Sequence, residues 1–176
     1  RVRYSWEMPI LGSAGGPRQA LPLVGASTFL IANGDTLTDV AVPALVAAHR
    51  RSGALVTMAA VPNTEPQKYG GVVVGTDGAI TGFTRRGSSE ASYHFVGLQV
   101  AEREAFAGLK AGTPYESVGA VYPALISTRP GSVRAHVCTA EFFDIGTPSD
   151  YLRTSLLLAS RQGGALPRGA RTRVCL

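Results

Sequence analysis

A chain of 176 residues with 45% apolar and 16% charged residues is sized for one folded domain and is not a disordered polymer. Part of its net charge of +5 gathers at Arg85-Arg86 and at Arg161, Arg168, Arg171 and Arg173; no aromatic residues separate the tail arginines, which argues against a nucleic-acid platform and fits a cleft for phosphorylated small molecules. No apolar run nears the roughly 20 residues that span a bilayer, so no membrane partner is expected, and two cysteines without metal-ligand spacing, Cys138 and Cys175, suit a reduced, cytoplasmic protein.

Residues 1–6 alternate as a strand would and end at Glu7. Pro9, Gly12, Gly15 and Gly16 mark a loop, and a short helix is expected from Pro17 to Leu23. Thr28 to Ala32 is a continuous apolar run, the form of a strand buried on both faces, and it stops at Asn33-Gly34-Asp35. Pro43 opens a helix that runs to Ser52 and stops at Gly53, and Ala54 to Ala60 reads as another buried strand. This alternation of strands and helices predicts an α/β, Rossmann-like, mixed but mainly parallel sheet flanked by helices. Gly71 to Phe83 reads as a hairpin turning at Asp77-Gly78. A strand over 93–100, helices over 102–109 and 117–126, and a strand over 132–138 follow. A short strand from Glu141 to Ile145 leads to Thr147 as N-cap, Pro148 as first helical residue and Asp150 as the third. That helix is expected to end at Gly163-Gly164, which sets a domain over 1–162 and a tail or linker over 163–176.

Two carboxylates stand out. Asp35 follows Asn33-Gly34 at the carboxyl end of a strand, where ligands bind in open α/β sheets. Asp144 stands at the end of a short apolar strand, just before Gly146 and a capped helix. Each has a plainer reading, a turn aspartate bonded to its own backbone or a helix-entry aspartate met by nearby amides. Together they suit Mg²⁺, which one or two carboxylates can hold while substrate phosphates complete its shell. The segment from Glu7 through Leu11, Gly12, Ser13, Ala14, Gly15 and Gly16 is a glycine-dense approach to a helix, able to offer amides to an anion or a base edge, or to serve as a connector. His49 and His136 read as packed or surface groups, His94 as a lesser site candidate, and Cys138 as a small buried apolar residue. No Gly-x-Ser-x-Gly elbow supports acyl hydrolysis. The paired aspartates that metal-dependent glycosyltransferases place one residue apart are missing, because Thr36-Leu37 follows Asp35.

Taken in order, Glu7 with Leu11–Gly16, Phe29–Asp35, Lys68-Tyr69-Gly70, Phe95–Leu98 and Phe142–Tyr151 resemble the sugar-1-phosphate nucleotidyltransferases that make nucleotide sugars, over residues 2–160. The resemblance implies that Asp35 and Asp144 bind Mg²⁺ and are catalytic. It implies that Leu11, Gly12, Ser13, Ala14 and Gly15 line the nucleotide base and ribose side, and that Glu7, Asn33 and Gly34 bind substrate. Gly70, Gly97, Arg86 and Phe142 would then lie on the sugar-phosphate side. The expected partners are a nucleoside triphosphate and a sugar 1-phosphate, the expected product a GDP-mannose-like nucleotide sugar, and a homo-oligomer is left open; a relative that only binds nucleotide sugars is the alternative. Two departures are expected to matter. The family's opening strand with its triphosphate loop is absent, which implies a chain incomplete at its N-terminus and lacking the first strands. Arg85-Arg86 stands where the family often has Glu-Lys.

Overall fold

The computed structural model describes residues 2–161, so the expected helix stop at Gly163-Gly164 and the tail call for 163–176 fall outside the described residues. The fold is α/β, with a six-stranded mixed sheet between two helical layers and a separate two-stranded ribbon. In chain order the elements are α1 (Gly12–Ala20), β1 (Thr28–Ala32), β2 (Thr36–Thr38), α2 (Val42–Ser52), β3 (Val56–Pro62), β4 (Gly71–Val74) and β5 (Ile80–Thr84). Then come β6 (Tyr93–Glu102), α3 (Glu104–Ala107), α4 (Tyr122–Thr128), β7 (Val133–Val137), β8 (Phe142–Asp144) and α5 (Pro148–Arg161). No helix among the described residues is long and apolar enough to cross a membrane.

The long strand β6 organises the sheet. It pairs antiparallel with β3 along one side and with β1 and β4 along the other, while β7 joins β3 in parallel. The mainly parallel expectation is therefore corrected at the level of pairing, since β3–β7 is the one parallel ladder among the described residues. Strands β1, β3, β4 and β7 still point the same way, because β6 lies antiparallel between them. Strand β1 is less enclosed than its apolar run suggested. It pairs with β6 alone among the described strands, and Leu30 and Ala32 are exposed.

The N-terminal segment differs as well. Residues 2–7 form no strand, and Val2, Tyr4 and Trp6 are exposed, because no strand among the described residues pairs with them. Helix α1 begins at Gly12, not Pro17. Packing overrides the low helix propensity of its glycines: Ala14 and Gly15 are buried, and their amides both donate to the Tyr115 carbonyl at 2.9 and 3.2 Å. A Cβ on Gly15 would lie 2.7 Å from the Thr113 carbonyl oxygen, so a residue without a side chain is needed there.

Side-chain alternation on β3 splits the core in two. Val56 and Met58 face α4 and Phe106 with Tyr122, and Ala59 faces α2 with Leu45, Val96 and Val100. A buried polar link crosses the second layer. His49 on α2 is 2% exposed; its Nε2 donates to Glu102 Oε1 at 3.0 Å and its Nδ1 meets Thr57 Oγ1 at 2.9 Å. Thr28 Oγ1 donates to the same Glu102 oxygen at 2.7 Å, so one carboxylate ties α2, β1 and β6 together. That hydroxyl bond is the largest influence holding the Glu102 carboxyl below its ordinary range, with His49 adding to it. A depressed carboxyl stabilises the fold above its unfolded pKa and ceases to do so as pH falls through its folded value. His49→Leu, which leaves the Thr57 hydroxyl buried without its partner, is expected to lower stability by about 1–3 kcal/mol in urea unfolding. The stability gap between wild type and Glu102→Gln is expected to close as pH falls below the ordinary glutamate range, read from urea midpoints at stepped pH.

Candidate active site

Three strands that share a direction end on one rim of the sheet, and the loops after them build the site. Asn33-Gly34-Asp35 follows β1, Asn63 to Glu65 follows β3, and Thr139-Ala140 follows β7. Because β6 runs the other way, its first residues, Tyr93 to Phe95, arrive at the same rim. The ribbon of β2 and β8 stands beside them. Its register sets Thr36 opposite Asp144, and the Ile145 amide donates to the Asp35 carbonyl at 2.9 Å.

That ribbon brings the two carboxylates together. Asp35 Oδ2 and Asp144 Oδ1 each lie 3.2 Å from the point a Cβ would occupy on Gly146. The Gly146 amide donates to Asp144 Oδ1 at 2.9 Å, which fixes that oxygen. Two hard oxygens meeting at a residue with no side chain fit a small divalent cation. Among the described residues no group of three or more His, Cys, Asp or Glu forms a richer cluster.

A cavity of about 480 Å³ opens next to Asp144 and is lined also by Asn63, Glu65, Tyr69, His94, Phe142 and Arg153. The His94, Tyr69 and Phe142 rings form a three-membered cluster, with His94 4.2 Å from Tyr69 and 4.6 Å from Phe142 and those two rings 5.6 Å apart edge-on. Burial pushes the His94 pKa down, against smaller opposing pulls from the Gly70 backbone and the Asp144 charge, so the imidazole is neutral at ordinary pH. Helix α5 closes one side as its sequence predicts. Thr147 Oγ1 accepts from the Asp150 amide at 3.1 Å and donates to Asp150 Oδ2 at 2.8 Å. Asp150 Oδ1 also takes Lys68 Nζ at 2.9 Å and Arg153 NH2 at 2.6 Å, which ties the loop after β3 to α5. The bond from Lys68 is the largest cause of the lowered Asp150 pKa, with Thr147 next.

A second cavity, of about 660 Å³, runs along the open side of β1 and is lined by Glu7, Gly12, Ser13, Asn33, Phe29 and Gln99, among others. Of the residues expected on the nucleotide side, Gly12 and Ser13 line this cavity, and the expected substrate-binding residues Glu7 and Asn33 line it with them. Leu11, Ala14 and Gly15 are instead buried in the core. Several amides of this segment are committed inside the protein: the Leu11 amide donates to Glu7 Oε2 at 2.8 Å, and those of Ala14 and Gly15 donate to the Tyr115 carbonyl. Gly34 is exposed, and no heavy atom lies within 4 Å of its would-be Cβ.

On the expected sugar-phosphate side, Phe142 lines the first cavity, whereas Gly70 and Gly97 do not. A Cβ on Gly70 would meet the Thr84 carbonyl at 2.9 Å. Gly97 is buried at φ +77°, where its missing Cβ leaves room for Thr36 Oγ1 at 2.8 Å and the Asn33 side chain at 3.1 Å. Its carbonyl accepts from the Asn33 amide at 2.8 Å, so it is the bulge that seats the Asp35 loop against β6. Arg86 is exposed on the turn after β5 and lines neither cavity. The sequence reading did not single out Asn63, Glu65 or Arg153. The strand-end rule that picked Asp35 after β1 also applies to Asn63 and Glu65 after β3, and so could have found them. Arg153 gave no signal, since nothing in the chain order places its turn of α5 over the loop after β3.

A mixed sheet with its loops gathered on one rim and two carboxylates brought near each other by a short ribbon defines an α/β domain with its candidate site at the strand ends. The sequence pattern described as nucleotidyl transferase matches residues 1–161, and the chain belongs to that family. It is 25% identical over 156 residues to a mannose-1-phosphate guanylyltransferase of Mycobacterium tuberculosis, covering 88% of this chain and 44% of that protein. It is 28% identical over 180 residues to a UTP–glucose-1-phosphate uridylyltransferase of Synechocystis, covering 92% and 46%. The chain thus spans less than half the length of these relatives. Among solved structures, HddC of Yersinia pseudotuberculosis in complex with GMP-PN superposes with a TM-score of 0.70 at 19% identity, covering 84% of this chain and 63% of that one, which establishes a shared fold.

Gly97→Ala is expected to lower stability by roughly 1–3 kcal/mol in thermal or urea unfolding, because the backbone conformation and the contact with Thr36 both oppose a side chain.

Proposed function

We propose that this chain forms most of the catalytic domain of a sugar-1-phosphate nucleotidyltransferase, which produces a nucleotide sugar of the GDP-mannose type and pyrophosphate. A phosphate oxygen of the sugar 1-phosphate attacks the α-phosphorus of a nucleoside triphosphate. A new P–O bond forms as the bond to the bridging oxygen breaks, and pyrophosphate leaves with that electron pair. The reading rests on one observation above the rest: the carboxylates of Asp35 and Asp144 converge beside Gly146.

Those two carboxylates would hold Mg²⁺, which when bound neutralises charge on crowded phosphates. The chain's own residues position the reactants. The cavity beside Asp144 takes the sugar phosphate, with Phe142 and Tyr69 as apolar walls. The cavity along β1 takes the nucleotide, against Glu7, Gly12, Ser13 and Asn33. Arg153 brings a guanidinium to the sugar-phosphate cavity, a place that Arg86 does not reach from its exposed turn. Holding both reactants in line provides much of the acceleration in such a transfer.

A second reading, a relative that binds nucleotide sugars without turnover, is favoured by the glycine-rich segment. Its Leu11, Ala14 and Gly15 amides are already bonded within the protein and unavailable to a triphosphate. Pyrophosphate release is measured with Mg²⁺ and either mannose 1-phosphate with GTP or glucose 1-phosphate with UTP. Asp35→Asn and Asp144→Asn are each expected to reduce the rate by about 100-fold or more, and to weaken Mn²⁺ binding read by electron paramagnetic resonance. Gly146→Ala is expected to weaken Mn²⁺ binding as well, since its methyl group would crowd both oxygens. Calorimetric binding of GDP-mannose with no turnover of any pair would select the second reading.

A further inference from the structure

Three buried side-chain polar atoms lack a hydrogen-bond partner among the described residues: Asn63 Oδ1, His94 Nδ1 and His94 Nε2. All three belong to residues that line the cavity beside Asp144. Unmet buried polar groups weaken a fold, and native proteins keep few of them. Their concentration in one cavity calls for a cause.

Sheet register sets the two residues side by side. His94 stands directly opposite Val61, and Asn63 lies two positions along from Val61, so both project from one face of β3 and β6. The Asn63 amide is oriented by its surroundings. Its Nδ2 turns to the Tyr69 carbonyl at 3.5 Å and to Ser92 Oγ at 3.4 Å, and a carbonyl demands a donor, so Oδ1 is the atom left over. The Tyr69 and Phe142 rings pack against His94 and against each other and bring its nitrogens no acceptor, and with the Gly70 backbone nearby both nitrogens still lack a formed hydrogen bond.

We infer that Asn63 and His94 form the polar reader of the sugar in this cavity, recognising neighbouring hydroxyls of a neutral sugar 1-phosphate; the inference rests on the reading of the cavity as the sugar-phosphate pocket. A neutral imidazole offers one donor and one acceptor, and Asn63 Oδ1 offers a second acceptor. Two adjacent hydroxyls, each able to donate and accept, satisfy all three. A carboxylate or phosphate brings acceptors only, and would leave Asn63 Oδ1 and one imidazole nitrogen unmet. A sugar bearing a carboxylate at this position is therefore rejected, and so is one lacking the hydroxyl. Because the three atoms are buried under this packing, a sugar that meets them requires the Tyr69 or Phe142 ring to shift on binding.

The test is calorimetric titration of the full chain, with Mg²⁺ present. The ligands are α-mannose 1-phosphate, α-glucose 1-phosphate and their 2-, 3- and 4-deoxy counterparts. Wild type is compared with Asn63→Leu and His94→Phe, and melting temperatures are taken in parallel. Each variant is expected to bind the parent sugar phosphate about 10- to 100-fold more weakly. One deoxy sugar is expected to suffer the same loss on wild type and no further loss on the variants. Melting temperatures are expected to hold or rise, because each substitution removes an unmet polar group. Wild-type affinity in both variants would overturn the assignment while leaving the pocket reading intact. A lower melting temperature, or failure to fold, in both would show that these atoms serve the fold, and would also overturn it. Absence of binding by either sugar phosphate to wild type would overturn the pocket reading itself, and the inference with it.

Discussion

The pairing of β2 with β8 is the constraint on which the site depends. Each strand contributes three residues, and a two-stranded ribbon of that length is marginal by itself. Side chains at its far end reinforce it. Thr38 Oγ1 donates to the Glu141 carbonyl at 2.7 Å, and the Glu141 amide donates to Asp39 Oδ1 at 2.7 Å. At its near end Gly97 admits Thr36 and Asn33 against the main sheet. Only with both ends held do the side chains of Asp35 and Asp144, distant in the chain, occupy one small volume.

The second organising element is the direction of β6. A purely parallel sheet would deliver only strand ends and the loops after them to the active rim. One long antiparallel strand adds the start of a strand, so His94 and Phe95 stand among loops that follow β1, β3 and β7. The tie of Asp150 to Lys68 and Arg153 then fastens α5 to the loop after β3, enclosing the cavity between them.

Much of this was legible in the residues. The hairpin at Asp77-Gly78, the stop at Gly53 and the Thr147 cap were plain because each is set by local chemistry, and the structure has all three: Gly78 at φ +85°, Gly53 at φ +63° with its amide on the His49 carbonyl, and Thr147 bonded to Asp150. The pairing of Asp35 with Asp144 was suggested by their shared place at strand ends and sharpened by resemblance, since no local rule pairs residues so far apart. The glycines misled. Gly15 suggested a loop open to a ligand, but the close approach it permits is to Thr113 and Tyr115 of the protein itself. Gly97 suggested room for substrate, yet the room is taken by Asn33 and Thr36. A glycine in a sequence announces a close approach and not the identity of what approaches. The antiparallel insertion of β6 was hidden for a related reason: an apolar run carries no sign of its direction.

The central place of β6 also bears on how the chain assembles. Strands β1, β3 and β4 all precede it in sequence and all pair with it, so their apolar surfaces wait for residues as late as Glu102. The contacts that build the sheet therefore close long loops before they return stabilisation, the regime in which domains collapse slowly. During synthesis the edges of β1, β3 and β4 that face β6 therefore stay unpaired until that later strand has been made.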